Sequence, residues 1–219
     1  MTETGLAAPP RITTTGGRLT RAAVPGAVIA GIAWAVSGVT AVIYPEHGLG
    51  ISGPYYLIEG THAVAETGML PALLLLWKAQ RARLHRPGNF GFGLTVAATA
   101  LLAAITYGAV ISPLLGITEG NMVATVLFLL SMLGTAIGFV ICGLATVRAR
   151  VWPVATGLLL IAHPLLLVAV LALFEVWNSY ALFIPIGVLW FAIAWILAAA
   201  MRSASMQASE LVPHGRMRA

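Results

Sequence analysis

Six long apolar segments, separated by short polar ones, make up most of the chain. They lie near residues 23–44, 55–77, 92–113, 122–147, 154–174 and 179–201. A bilayer core about 30 Å thick is crossed by about 20 helical residues, each of which rises about 1.5 Å. Each segment therefore has the length of a membrane-spanning helix. The pattern predicts an all-α, polytopic membrane protein built as a six-helix transmembrane bundle.

The basic residues indicate how this bundle is oriented. All 12 Lys and Arg residues fall in the N-terminal tail, the second and fourth loops and the C-terminal tail. Lys and Arg in short loops mark the cytoplasmic side. We therefore expect a multi-pass protein of the cell membrane with both termini in the cytoplasm. Its domains would be a flexible N-terminal tail over 1–21, a transmembrane domain over 22–202 and a C-terminal tail over 203–219.

Composition excludes several classes of protein. Hydrophobic residues make up 59% of the chain and charged residues 9%, whereas a soluble domain carries about 25% charged residues. The net charge of +5 follows from the loop residues just described, so no nucleic-acid partner is expected. Cys142 is the single cysteine, which leaves no disulfide framework and no thiolate metal site.

The second segment carries four polar side chains that could take part in catalysis or binding: Tyr55, Glu59, His62 and Glu66. At about 100° per residue they share a stripe about 60° wide on one helix face. Glu66 lies about 18 Å from the outer end of the helix, close to the membrane midplane. A carboxylate facing lipid there costs about 2.5–3.5 kcal/mol. The stripe is therefore predicted to line an internal cavity, with Tyr55 at its mouth.

Three of these residues are candidate catalytic groups. Burial favours the neutral form of a carboxylic acid, and a neutral Glu66 could donate a proton to a lipophilic substrate. His62, one turn away, could restore that proton, and Glu59 would stand at the entrance. The candidate substrate-binding residues are Tyr55, Trp34, Tyr107, His163, Glu175, Asn178 and Trp190.

The distribution of polar residues along the spans predicts the shape of the pocket. They gather in the outer half, while the inner half is expected to be almost purely aliphatic. This favours a pocket that opens outward over a continuous pore.

Six spans with two interior carboxylates on one helix, Glu59 and Glu66, resemble the small membrane-bound terpene cyclases. The resemblance implies acid-initiated cyclisation of an isoprenoid. That family often carries an aspartate near its last span, but this chain contains no aspartate, and Glu175 is the acid nearest that place. His62-x-x-x-Glu66 also resembles the His/Glu pair of membrane sterol isomerases, which have a different number of helices.

Four other interpretations remain open, one of which is a binding, sensing or accessory subunit. His62 and Glu66 could form a structural pair across one helical turn, and His163 could bond a carbonyl freed by Pro164. Glu59, His62 and Glu66 could be the relay of a proton-coupled transporter. His62 and His163 could be the axial ligands of a b-type haem. The enzyme interpretation predicts no cofactor and no metal, and its partners are a lipophilic small molecule and membrane lipid.

Overall fold

The computed structural model describes residues 17–44, 53–115, 122–172 and 179–210. Within these ranges it is helical and contains no strand. The six helices are α1 Gly17–Ile43, α2 Gly53–Gln80, α3 Arg86–Leu114, α4 Met122–Ala149, α5 Val154–Ala172 and α6 Phe183–Glu210. Short 3₁₀ helices occupy Arg81–Arg83 and Ser179–Leu182. The prediction of six helices in an all-α fold is confirmed.

Several helix ends differ from the predicted boundaries. Helix α1 begins at Gly17, inside the stretch expected to be a flexible tail, and α6 continues to Glu210, beyond residue 202. Helix α4 ends before Arg150, whose φ of 50° is the left-handed conformation common after a helix C-terminus. The polypeptide then turns into α5.

Within the described ranges, α1, α3, α4 and α6 are long and apolar enough to cross a membrane. Helix α2 has 28 residues, but its Glu59, His62 and Glu66 lower its mean hydropathy. Helix α5 has 19 described residues, all of them apolar except for Thr156, His163 and the small residues Gly157 and Pro164.

The helices form a closed ring, because each packs against the next in sequence and α6 packs against α1. Reciprocal glycine contacts hold three of these helix pairs together. A Cβ on either glycine of a pair would come within 2.5–3.0 Å of its partner's carbonyl oxygen, so glycine alone permits the spacing. The pairs are Gly26–Gly68 between α1 and α2, Gly31–Gly187 between α1 and α6, and Gly143–Gly157 between α4 and α5.

Neighbouring helices are antiparallel, which brings the basic residues together. In α3 and α4, for example, Gly91 contacts Ile141, whereas Gly134 contacts Ala98. The starts of α1 and α3 and the ends of α2, α4 and α6 therefore share one end of the bundle. We call it the basic end, because it carries every Lys and Arg of the described residues: Arg18, Arg21, Lys78, Arg81, Arg83, Arg86, Arg148, Arg150 and Arg202.

The half of the bundle near the basic end is less aliphatic than the sequence analysis predicted. Gln80, Thr95 and Thr146 are fully buried there. The Gln80 amide nitrogen donates to Thr146 Oγ1 at 3.0 Å, and Thr95 donates to the Gly91 carbonyl at 2.8 Å. The expectation was wrong because a polar side chain tolerates burial when it bonds the preceding turn of its helix, as Thr95 does, or another side chain, as Gln80 does.

Candidate functional site

A cavity of about 240 Å³ lies at the centre of the ring, in the half away from the basic end. All six helices contribute to its wall, which is mostly apolar and aromatic. It is lined by Trp34, Glu59, His62, Glu66, Met69, Leu102, Thr106, Phe128, Met132, Thr135, His163, Leu167, Val170 and Phe183. We call it the central cavity.

Five of the residues singled out by sequence line the central cavity together. Glu59, His62 and Glu66 project from α2 as one stripe, Trp34 comes from α1 and His163 from α5. A spacing of three or four residues places side chains one above another on a helix face. The two histidines and the two acids therefore line the same cavity.

The other candidates lie elsewhere. Tyr107 is 40% exposed, because its neighbour Thr106 takes the inward position on α3. Tyr55 does not line the cavity, and its hydroxyl donates to the Ala109 carbonyl at 3.4 Å. Trp190 is fully buried behind His163. Glu175 and Asn178 lie outside the described residues.

Glu66 is the acid buried most deeply in this wall. The residue is 3% exposed, and its Oε2 accepts a hydrogen bond of 3.1 Å from Thr106 Oγ1 on α3. Met69 and Leu102 are among the apolar side chains beside it. Its carboxyl group is thus held by a neighbouring helix, in a setting where a charge has few compensating groups.

His62 is anchored to two other helices. Its Nε2 shares a hydrogen bond of 2.7 Å with Ser37 Oγ of α1. Its ring lies 4.9 Å from the Trp34 ring and 4.6 Å from that of Phe183, measured between centroids. Ser37 and Phe183 were not among the residues predicted for the site, although Ser37 follows Trp34 by one helical turn and so shares its face.

His163 is oriented by Trp190 of α6. The Trp190 indole N–H donates to His163 Nδ1 at 3.3 Å. Since an indole nitrogen can only donate, Nδ1 is the acceptor and Nε2 carries the ring proton of the neutral imidazole. The described partner of this histidine is therefore a side chain, and not the carbonyl that Pro164 frees.

Two further polar atoms belong to residues of the cavity wall. Trp34 Nε1 and Thr135 Oγ1 are both buried without a hydrogen-bond partner. Buried polar groups are normally paired, and an unpaired one carries a desolvation cost. Because both atoms are themselves inaccessible, they add no polar group to the surface of the cavity.

Few side chains around the central cavity could bind a metal ion or a haem iron. Among the described residues, no group of three His, Cys, Asp or Glu side chains converges as a metal site. For a haem, Ser37 would compete with the iron for His62 Nε2. The Trp34 ring also contacts both histidine rings, with centroid distances of 4.9 Å to His62 and 6.2 Å to His163.

Comparison with known proteins does not assign the chain to a family. No protein-family model, no curated protein and no solved structure matches the chain.

Proposed function

We propose that this protein is an integral membrane enzyme that transfers a proton to a lipophilic alkene, such as an isoprenoid, and so cyclises or isomerises it. The observation that carries the proposal is the Glu66 carboxyl group, 3% exposed, in the wall of a mostly apolar cavity. An acid in such a place suits a substrate that offers no polar group of its own at the reacting carbon. Four apolar helices of spanning length support the membrane setting.

The reaction would begin at the protonated Glu66 carboxyl. Its O–H bond breaks, a C–H bond forms at one alkene carbon, and the neighbouring carbon becomes a carbocation. In a cyclisation, the π electrons of a second alkene form a C–C bond to that cation, and the other carbon of this alkene becomes the new carbocation. Loss of a proton from an adjacent carbon, to the Glu66 carboxylate directly or through His62, restores an alkene and the enzyme. Product and substrate are therefore isomers.

The aromatic side chains of the cavity support the cationic step. Trp34, Phe128 and Phe183 line the wall, and the faces of aromatic rings attract cations, an effect that strengthens away from water. An apolar wall also limits the water that would quench a carbocation. In this scheme His62 returns the proton, and Glu59 stands nearer the start of α2 at the entrance.

The exposure of α4 supports a lateral route for the substrate. Every residue from Met122 to Leu130 is exposed, whereas Ser131 is buried. Phe128, within this stretch, lines the central cavity. A lipophilic substrate could thus pass from the lipid between α4 and its neighbours without crossing water.

The basic end supports a defined orientation. Since all Lys and Arg of the described residues share that end, we propose that it faces the cytoplasm, with both chain termini. The central cavity then lies in the outer half of the membrane.

Deuterium transfer from solvent tests the chemistry. The purified protein is incubated in D₂O with acyclic prenyl alcohols of increasing length and with a lipid extract of its native membrane. The expected product is an isomer of its substrate that carries one deuterium, detected by mass spectrometry. Glu66→Gln should lower its formation by about 10²–10⁴-fold, because an amide cannot deliver the proton.

Two further variants serve as graded controls. His62→Ala should slow the reaction less than Glu66→Gln does, because His62 returns the proton and does not touch the reacting carbon. Glu59→Gln should have the mildest effect. If Glu66→Gln is stable and makes the deuterated isomer at the wild-type rate, the proposed mechanism is wrong. Glu66-dependent proton flux into proteoliposomes, with no isomer formed, would instead favour the transporter.

A further inference from the structure

A second cavity, of about 260 Å³, lies at the basic end between the start of α3 and the end of α4. Basic side chains from two separate segments border it: Arg83 and His85 precede α3, and Arg148 lies in the last turn of α4. The rest of the wall is mainly apolar and includes Leu84, Ile141 and Leu144. We call it the basic cavity.

Membrane orientation alone does not explain this convergence. The topology rule requires basic residues on one side of the membrane, but it does not require that they border a common cavity. Arg81 and Arg86 flank Arg83 in the chain, and neither lines this space. Arg83 and Arg148 thus differ from their basic neighbours in the chain, because these two border the cavity.

None of the described residues that line the basic cavity carries a carboxylate. Among the described acidic residues, Glu59 and Glu66 line the central cavity, and Glu210 is the last residue of α6. Two guanidinium groups beside an apolar wall, with no carboxylate among the described lining residues, favour an anion that carries a hydrophobic part.

We propose that the basic cavity binds an anionic phospholipid of the cytoplasmic leaflet. Arg83 and Arg148 would hold the phosphate, and Leu84, Ile141 and Leu144 would contact the first part of an acyl chain. Basic pockets between transmembrane helices recognise anionic headgroups in this way. This inference rests on the membrane orientation proposed above, but it does not depend on the reaction at Glu66.

The start of α3 adds backbone N–H donors to the same place, although Pro87 in its first turn supplies none. His85, the residue before the helix, makes no side-chain hydrogen bond to the first turn. The backbone N–H groups of a first helical turn favour an anion. Gly88 is buried, and a Cβ there would lie 3.0 Å from the Ala145 Cβ. Glycine therefore keeps the start of α3 close to α4, so both arginines border one space.

Native mass spectrometry of the full chain in detergent tests the proposal. Phosphatidylglycerol is titrated against phosphatidylcholine with the same acyl chains. We expect the wild type to retain phosphatidylglycerol preferentially. Arg83→Gln combined with Arg148→Gln should weaken that binding about thirtyfold, because each basic group contributes about fivefold to the attraction of an anionic headgroup. The matched control, Arg81→Gln with Arg86→Gln, removes the same charge from residues that do not line the cavity and should weaken binding clearly less.

A third variant keeps both arginines. Leu144→Trp fills the apolar part of the basic cavity and should weaken phosphatidylglycerol binding. This variant tests the lipid site even if the double arginine variant fails to fold. Glu66→Gln should bind the lipid as the wild type does. Equal affinity for the two lipids, or equal losses in both double variants, would overturn the proposal. Displacement of the lipid by inorganic phosphate would overturn it too, since the site would then serve free phosphate.

Discussion

Single side chains of the central cavity are held by partners on other helices. Buried polar groups are stable when they are hydrogen-bonded, so each such pair fixes a functional side chain and a helix contact at once. The pairs are Glu66 with Thr106, His62 with Ser37 and His163 with Trp190. A change at one partner should therefore act on both stability and the site.

Two buried threonines of α3 offer a matched test of this argument. Thr106→Val removes the hydroxyl that donates to Glu66 and should lower the free energy of unfolding by about 1 kcal/mol. Thr99 is equally buried, but its hydroxyl has no partner. Thr99→Val should therefore be neutral or stabilising. Thermal unfolding in detergent measures both, and a Thr106→Val protein as stable as Thr99→Val would show that the Glu66 hydrogen bond contributes nothing.

Two tryptophans of α6 provide a second comparison. Trp190→Phe removes the N–H that holds His163 Nδ1 and part of a fully buried ring, so we expect a loss of about 1–3 kcal/mol. Trp195 is 70% exposed, beside Arg202, and Trp195→Phe should change stability by less than about 0.5 kcal/mol. Melting temperatures of the two variants should differ clearly. Similar values would argue against a structural role for the Trp190–His163 pair.

At the scale of helices, the ring depends on glycine contacts that leave no room for a side chain. Gly187→Ala would place its Cβ 2.6 Å from the Gly31 carbonyl oxygen and 3.0 Å from the Ala35 backbone nitrogen. Backbone atoms cannot rotate away, so α1 and α6 should separate and stability should fall by about 1–3 kcal/mol.

The control for this substitution is Gly60→Ala, also within a helix. A Cβ at Gly60 meets no atom within 4 Å, so alanine should raise helix stability by up to about 1 kcal/mol. Urea or thermal unfolding of the two variants should therefore shift in opposite directions. If Gly187→Ala is tolerated as well as Gly60→Ala, the α1–α6 contact is not limited by glycine.

Sequence could predict the helices and the α2 stripe because each follows from a strong periodic rule. Spanning length defines the apolar segments, and a spacing of three or four residues places Glu59, His62 and Glu66 on one face. The same geometry places Gly31 and Gly38, seven residues apart, on one face of α1, and both contact α6. These predictions need only the geometry of a single helix.

The partners of the stripe could not be predicted in the same way. The buried face of α3 carries Thr95, Thr99 and Thr106 among apolar residues, so hydrophobicity alone does not distinguish the inward Thr106 from the exposed Tyr107. Thr106 also bonds the Leu102 carbonyl of its own helix, as threonines in helices commonly do. The sequence therefore gives no sign that its hydroxyl group has a partner on another helix. Which residue meets Glu66 depends on the rotation of α3 about its axis, a property of the assembled ring.

At the scale of the whole molecule, the two cavities lie in opposite halves of the ring. The central cavity is separated from the basic end by fully buried apolar side chains such as Leu73, Leu76 and Phe92. A lipophilic substrate and an anionic lipid would therefore occupy the protein independently. In the proposed membrane orientation, the basic cavity would face the cytoplasmic leaflet and the central cavity the outer leaflet.

Cysteine labelling measures that orientation. Leu115 is 69% exposed at the end opposite the basic end, and His85 is exposed at the basic end. In intact cells, a membrane-impermeant maleimide should label Leu115→Cys, whereas His85→Cys should react only after the membrane is permeabilised, because the proposed orientation places the basic end in the cytoplasm. Native Cys142 is fully buried, so the unmodified chain is the low-background control. Labelling of His85→Cys from outside would reverse the orientation, and the basic cavity would then face the outer leaflet and the central cavity the inner one.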